Sequence, residues 1–187
     1  MFEELVSPSE RRRAAFHEAG HVAAAYRFGV VAESCELHTE GVFVDGTTHF
    51  PSGWTLRYTL FDFRPSSDRP PTNDMYVWAD EQVIVYLSGG LAEIIYTGSR
   101  PEDTGTWRVE EDHGTDVEMA WAHVDCRFED PNGDDLDHAC ALMGRLEEDA
   151  KCIVRNACRT IYNVARALIT SGRLEASDIR TLLEVRA

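Results

Sequence analysis

The residues best placed to do chemistry are His17-Glu18-Ala19-Gly20-His21. If this segment is helical, His17 and His21 lie one turn apart on the same face. Two imidazoles so placed can reach one zinc ion at the ~2.0–2.1 Å that such bonds require. Glu18 neighbours that face without sharing it. It suits a general base, which would take a proton from a metal-held water and return it to a leaving amine. In a chain of this composition His-Glu-x-x-His arises by chance roughly 0.02 times. Incidental histidines on a solvated helix are therefore the weaker reading. A catalytic zinc takes three protein ligands and keeps one position open. No third histidine follows closely, since the next residues are Val22-Ala23-Ala24-Ala25-Tyr26-Arg27. Glu93, Asp112, His113, Asp116 and Glu118 remain as candidates, and the residue pattern does not choose among them. Asp116 would lie in the first turn of a helix, where a carboxylate is favoured with or without a metal.

The elements that must position these groups follow from local pattern. Ser7-Pro8-Ser9-Glu10 fits a capping box with proline at the first helical position, and predicts a helix over 7–29 that ends at Gly29. Gly20 inside it costs about 1 kcal/mol relative to Ala, which predicts another element approaching closely at that point. Residues 33–61 hold short β-branched and aromatic runs (36–38, 41–44 and 47–50) that read as strands of a small sheet. The proline-rich stretch 62–74 reads as a loop. From about Asn73 to Gly98 a helical stripe runs through Val77, Val83, Ile84, Leu87, Leu91, Ile94 and Ile95. Ser88-Gly89-Gly90 within it predicts a close crossing or a kink. A polar loop over 99–114 leads to a second capping box, Thr115-Asp116-Val117-Glu118, and a helix to about Phe128. After an acidic linker (129–135), one long helix is expected over 136–170. Gly172 and a short helix over 177–185 close the chain.

Composition narrows the classes of partner. A length of 187 residues suits one domain, and a globule of that size hides roughly 70% of its unfolded surface. Asp and Glu number 33 against 18 Lys and Arg, a net charge of −15. Such a surface repels nucleic-acid backbones and anionic membranes. No apolar run approaches the ~18 residues of a membrane helix. The acidic start, Met1-Phe2-Glu3-Glu4, does not read as a secretory signal. Five cysteines with no Cys-x-x-Cys pair read as reduced, mostly packed thiols, with a structural disulfide as the lesser alternative, so a cytoplasmic protein is expected. His38, His49, His123 and His138 read as ordinary polar or packed histidines.

Several segments together resemble the peptidase domain of the FtsH family, zinc metallopeptidases attached to membrane ATPases. His17-Glu18-Ala19-Gly20-His21-Val22 is similar to that family's His-Glu-Ala-Gly-His-Ala helix. Ser88 to Gly98 resembles its Gly-Gly-Arg-Ala-Ala-Glu-Glu helix, with Ser88 in place of a glycine and Ile94 in place of the second glutamate. His113-Gly114-Thr115-Asp116-Val117-Glu118 resembles its Ala-Ser-Asn-Asp-Leu-Glu segment, with Thr115 in place of Asn. Gly46-Thr47-Thr48-His49-Phe50-Pro51 resembles its strand beside the cleft, and Gly172-Arg173-Leu174 its closing Gly-x-Leu. The resemblance covers nearly the whole chain in order. It implies Asp116 as the third zinc ligand and places Glu93 behind the zinc helix, where it would either hold the far nitrogen of a ligand imidazole or simply bond helix backbone or an arginine. The stretch between His21 and Asp116 is longer than the family's, with 62–74 as the expected insertion. No Gly-x-x-x-x-Gly-Lys occurs, and the only lysine is Lys151, so no ATPase loop is present.

The expected fold is α+β, mainly α: a zincin-like helical domain with a small sheet beside the zinc-binding helix. One domain over 1–187 is expected, with a metal-site region over 1–135 and a C-terminal helical hairpin over 136–187. The expected activity is zinc-dependent hydrolysis of peptide bonds in short or unfolded polypeptides. It would use one zinc per chain held by His17, His21 and Asp116, with Glu18 as catalytic base. Substrates would come unaided or from a separate ATPase, and a homo-oligomer is compatible with the resemblance. A zinc-stabilised peptide-binding or regulatory module without turnover is the main alternative. Hydrolysis of a non-peptide amide is a third.

Overall fold

The computed structural model describes residues 8–40, 43–55, 57–58, 60–63, 71–98, 116–128 and 133–184. It is mainly helical, with a small three-stranded antiparallel sheet. The helices are α1 (Pro8–Arg27), α2 (Ser52–Thr55), α3 (Asn73–Thr97), α4 (Asp116–Asp125), α5 (Leu136–Asn156), α6 (Cys158–Ser171) and α7 (Ala176–Glu184). The strands are β1 (Ser34–Glu40), β2 (Phe43–His49) and β3 (Arg173–Glu175), and Leu60–Phe63 forms one 3-10 turn. No helix among the described residues is long and apolar enough to cross a membrane.

α1 lies at the centre, against α3 on one side, α6 on another and β2 along the site. Its alanines permit this, since Ala15, Ala19, Ala24 and Ala25 are wholly buried and small side chains let neighbours approach. Gly20 shows the closest approach. A Cβ there would overlap the Ser88 carbonyl oxygen and Ala92 Cβ on α3, which is the crossing expected from both glycine-bearing segments. Ser88 is buried and turns its hydroxyl back onto the Ile84 carbonyl (2.7 Å), satisfying itself within its own helix.

β1 and β2 form an antiparallel hairpin in register from Ser34 opposite His49 to Glu40 opposite Phe43. β3 pairs with the other side of β1, giving the order β2-β1-β3. Period-two alternation divides the sheet. Cys35, Val44 and Leu174 are buried. On the other face Arg173 forms ion pairs with Glu36 and Glu175, and the His38 and His49 rings lie 3.8 and 3.4 Å from Glu36.

The core draws on both ends of the chain. One cluster joins Phe16 and Val22 of α1 to Ile161, Val164 and Leu168 of α6, Leu174 of β3 and Ile179 and Leu183 of α7. A second joins Val83, Ile84 and Leu87 of α3 to Val124 of α4 and Met143, Leu146 and Ala150 of α5. Each fully buried aliphatic side chain contributes about 1.5–3 kcal/mol.

The structure departs from the sequence reading at several places, among them the short helix α2 and the 3-10 turn at Leu60–Phe63, where only strands and loop were expected. The expected single helix over 136–170 breaks at Ala157, whose backbone sits at φ −91°, ψ 14°. Tyr96 donates its hydroxyl hydrogen to the Val154 carbonyl (3.0 Å), the acceptor that an unbroken helix would offer to Cys158. The break also lets α5 and α6 face different clusters. The strand runs expected at 41–44 and 47–50 are one strand, β2, with Gly41 and Val42 outside the described residues. β3 is a strand that three residues were too few to signal. On α3, Val77 and Ile95 are exposed, although they continue the apolar stripe. The helix is wrapped along its middle, and its buried set there spans all sides. Ser7, Thr115 and most of the 62–74 loop also lie outside the described residues.

Candidate metal centre

The α1 helix turns His17 and His21 toward α3, and α4 begins with Asp116 against both of them. His17 Nε2 lies 3.0 Å from Asp116 Oδ2 and 3.0 Å from His21 Nε2. His21 Nε2 lies 3.2 Å from the same carboxylate oxygen. Among the described residues this is the one cluster of histidine, cysteine and acidic groups whose donor atoms converge closely enough to hold a metal. Donor atoms on a tetrahedral zinc with ~2.0–2.1 Å bonds stand about 3.3 Å apart, close to the spacing seen. Asp112 and His113 lie outside the described residues. Glu118 is exposed and takes no part in the cluster.

The hydrogen bonds around the rings fix which atoms face inward. His21 donates from Nδ1 to the Val85 carbonyl at 2.8 Å, so in the neutral ring its Nε2 carries the lone pair. His17 Nδ1 is buried and 3.4 Å from Glu93 Oε2, an ion-pair distance without an aligned hydrogen bond. With Nδ1 as the protonated nitrogen, His17 Nε2 is also an acceptor. Two imidazole lone pairs and a carboxylate then converge on one point, and acceptors repel unless a cation or a proton lies between them. The electrostatics agree. Burial, the largest influence, lowers the His17 pKa, but the Asp116 and Glu93 carboxylates beside its two nitrogens outweigh it and leave the ring well above its usual value. His21 is likewise lowered by burial and raised further by the Asp116 charge. Burial would raise the Asp116 carboxyl, yet the two imidazoles hold it far below the ordinary carboxylate range. The donor set therefore fits a divalent cation that accepts nitrogen and oxygen ligands.

Gly89 makes this convergence sterically possible. A Cβ there would overlap His21 Nε2 and crowd His17 Nε2.

Glu18 is buried and stands outside the donor cluster. It points instead to β2, where Thr48 donates its hydroxyl hydrogen to Oε2 at 2.7 Å. Gly46 leaves room for the carboxylate, since a Cβ at that position would overlap Glu18 Cγ. Burial raises the Glu18 pKa, while His21, His17 and the Thr48 hydrogen bond pull it back. β2 is the sheet edge beside the site, with no strand beyond it among the described residues.

Glu93 lies on α3, buried, with Oε1 bonded to Arg13 at 2.7 Å and Oε2 3.4 Å from His17 Nδ1, so both readings of it have a counterpart in the structure. Three contributors were not foreseen as site residues: Thr48, the Val85 carbonyl and Arg13. Arg13 precedes His17 by one helical turn, and that spacing is the only signal of it in the sequence.

His123 of α4 is a buried histidine away from the cluster. It packs edge-on to Trp78 and stacks with Tyr86, at 5.3 and 5.9 Å between ring centroids. Its Nδ1 has no hydrogen-bond partner among the described residues. Burial, helped by the Arg127 charge, lowers its pKa from 6.5 to about 4. The folded state thus favours the neutral ring. Its contribution is complete above pH 6.5 and is lost as pH falls toward 4. At 1.36 kcal/mol per pKa unit, wild-type stability should drop by about 2–3 kcal/mol between pH 7.5 and 4.5 from this group alone. Urea unfolding of the metal-free protein, compared with His123→Phe at both pH values, measures it. An equal pH dependence in the two proteins counts against the assignment.

No protein-family model matches the chain, and no curated protein matches it.

Proposed function

We propose that the protein is a zinc-dependent endopeptidase of FtsH type, with a zincin-like arrangement of metal helix and edge strand. The observation that carries this reading is the convergence of His17 Nε2, His21 Nε2 and Asp116 Oδ2 within 3.2 Å of one another, with the Glu18 carboxylate adjacent but outside the cluster. His17, His21 and Asp116 would hold the ion. Zinc in such a site supplies Lewis acidity and a bound water with pKa near ~7. The chain's own groups do the rest. Thr48 anchors the Glu18 carboxylate through Oε2, and that carboxylate would accept the water proton and return it to the leaving amine. The outer edge of β2 suits an extended peptide, whose backbone would pair with Gly46–His49 and carry little side-chain selectivity. Short, disordered or already unfolded chains fit this reading, and folded substrates would need a separate ATPase to deliver them. The five thiols are free, and three of them, Cys140, Cys152 and Cys158, are exposed rather than packed as the sequence suggested; free exposed thiols fit a reducing compartment, and we place the protein in the cytoplasm.

Elemental analysis and a casein digest test the proposal together. One zinc per chain is expected, with cleavage of the unfolded substrate. Asp116→Ala should abolish stoichiometric zinc uptake. Protein that takes up no zinc defeats the metal reading. Stoichiometric zinc with no cleavage of any unfolded substrate replaces the enzyme by the zinc-stabilised binding module.

A further inference from the structure

The two ligand histidines are oriented by different means. His21 leans on a backbone carbonyl, Val85, which α3 supplies whatever its side chains are. His17 faces a side chain, Glu93, whose carboxylate could rotate about its own bond. That carboxylate is almost wholly buried, with its side chain 3% exposed. A third residue holds it. Arg13 donates from Nε to Glu93 Oε1 at 2.7 Å, and this leaves Oε2 turned toward His17 Nδ1. Arg13 and His17 stand four residues apart on α1, so both face α3. Glu10, a turn earlier, adds a longer ion pair to Arg13 at 3.8 Å.

We propose that Arg13 is a positioning residue of the metal centre, acting through Glu93 to set the orientation and tautomer of His17. The inference rests on the metal-site reading. A charge-assisted bond to one carboxylate oxygen fixes the plane of the group. The second oxygen then faces Nδ1, favours the proton there and leaves the Nε2 lone pair for the ion. Arginine also keeps a positive charge beside a carboxylate that would otherwise be buried alone. A simpler role for Arg13, as a strut between α1 and α3, is separable from this. Arg12 makes a comparable bridge, reaching the Tyr96 carbonyl at 3.4 Å, whereas the bond to Glu93 Oε1 comes from Arg13.

The test compares R13M, R13K, R13Q, E93Q, the R13M/E93Q double variant and R12M as the strut control. Zinc affinity is read by competition with a chelator. R13M should bind zinc about 10–100-fold more weakly, R13K should recover part of the loss, and R12M should match wild type. In the double variant the R13M loss should vanish, because its route runs through Glu93. If R13M does not fold, R13Q and R13K carry the same comparison. Long-range proton–nitrogen spectra of metal-free protein, taken where the rings are neutral, give a second readout. His17 should carry its proton on Nδ1 in wild type and shift away from that tautomer in R13M, while His21 stays unchanged. Unchanged zinc affinity and tautomer in R13M overturn the proposal, as do additive losses in the double variant. A protein that binds no zinc defeats the metal reading, and the tautomer of His17 still decides the role of Arg13.

Discussion

Glu18→Gln is expected to leave one zinc bound per chain and to lower kcat by about 10²–10⁴-fold, the contribution of a positioned general base. The substitution is nearly isosteric. Gln keeps a side-chain oxygen to accept the Thr48 hydrogen bond and fits beside Gly46, which has no Cβ to obstruct it. Zinc content should not change, because Glu18 contributes no atom to the donor cluster. Folding should not suffer either. A buried carboxylate whose pKa is raised by desolvation is replaced by a neutral group that needs less solvation. The variant therefore separates proton transfer from metal binding and from structure. KM should stay near wild type, since the loss falls on the chemical step alone. Cleavage at the wild-type rate with zinc in place would remove Glu18 from the reaction. A loss of zinc would mean that the carboxylate is a ligand.

The parts of this site that were legible in the sequence are those set by local spacing. His17 and His21 are joined by the pitch of one helix, and that pitch needs no knowledge of the fold. The glycines at 20 and 89 were legible as a close approach because a mid-helix glycine needs a reason. What met them was not legible. Gly20 meets a carbonyl on α3, and Gly89 meets the ligand rings themselves. Asp116 is separated from His17 by 99 positions, and no periodicity links residues that far apart. Only the family resemblance singled it out from the other candidates, and the structure brings it to the histidines. Arg13 and Thr48 stayed hidden for a related reason. Each is a common polar residue, and each matters only because another element places Glu93 or Glu18 opposite it. The break at Ala157 was hidden by its mildness. It has neither glycine nor proline, and the apolar period runs straight through it, while the hydroxyl that meets the freed Val154 carbonyl is a tyrosine on another helix.

Gly89→Ala is the sharpest steric test of the centre. By helix propensity alone the substitution should stabilise α3 by about 1 kcal/mol. In this structure the new methyl would occupy the space of His21 Nε2 and crowd His17 Nε2. Backing α3 away from α1 would relieve the overlap only by opening the close crossing of Gly20 on the Ser88 carbonyl. Otherwise the rings rotate, and either movement disturbs the His21 bond to Val85 and the convergence of the three donors. Zinc affinity should fall by at least the about 10–100-fold that misorientation of a ligand costs. The metal-free protein should lose about 1–3 kcal/mol through overpacking. Gly144→Ala provides the contrast. That glycine lies mid-helix on α5, exposed, with nothing within 4 Å of an added Cβ, so it should gain about 0.5–1 kcal/mol. Chelator competition and urea unfolding of the two variants measure both effects. If Gly89→Ala instead binds zinc as wild type does, the imidazoles do not lie over that glycine, and the centre drawn from His17, His21 and Asp116 is wrong.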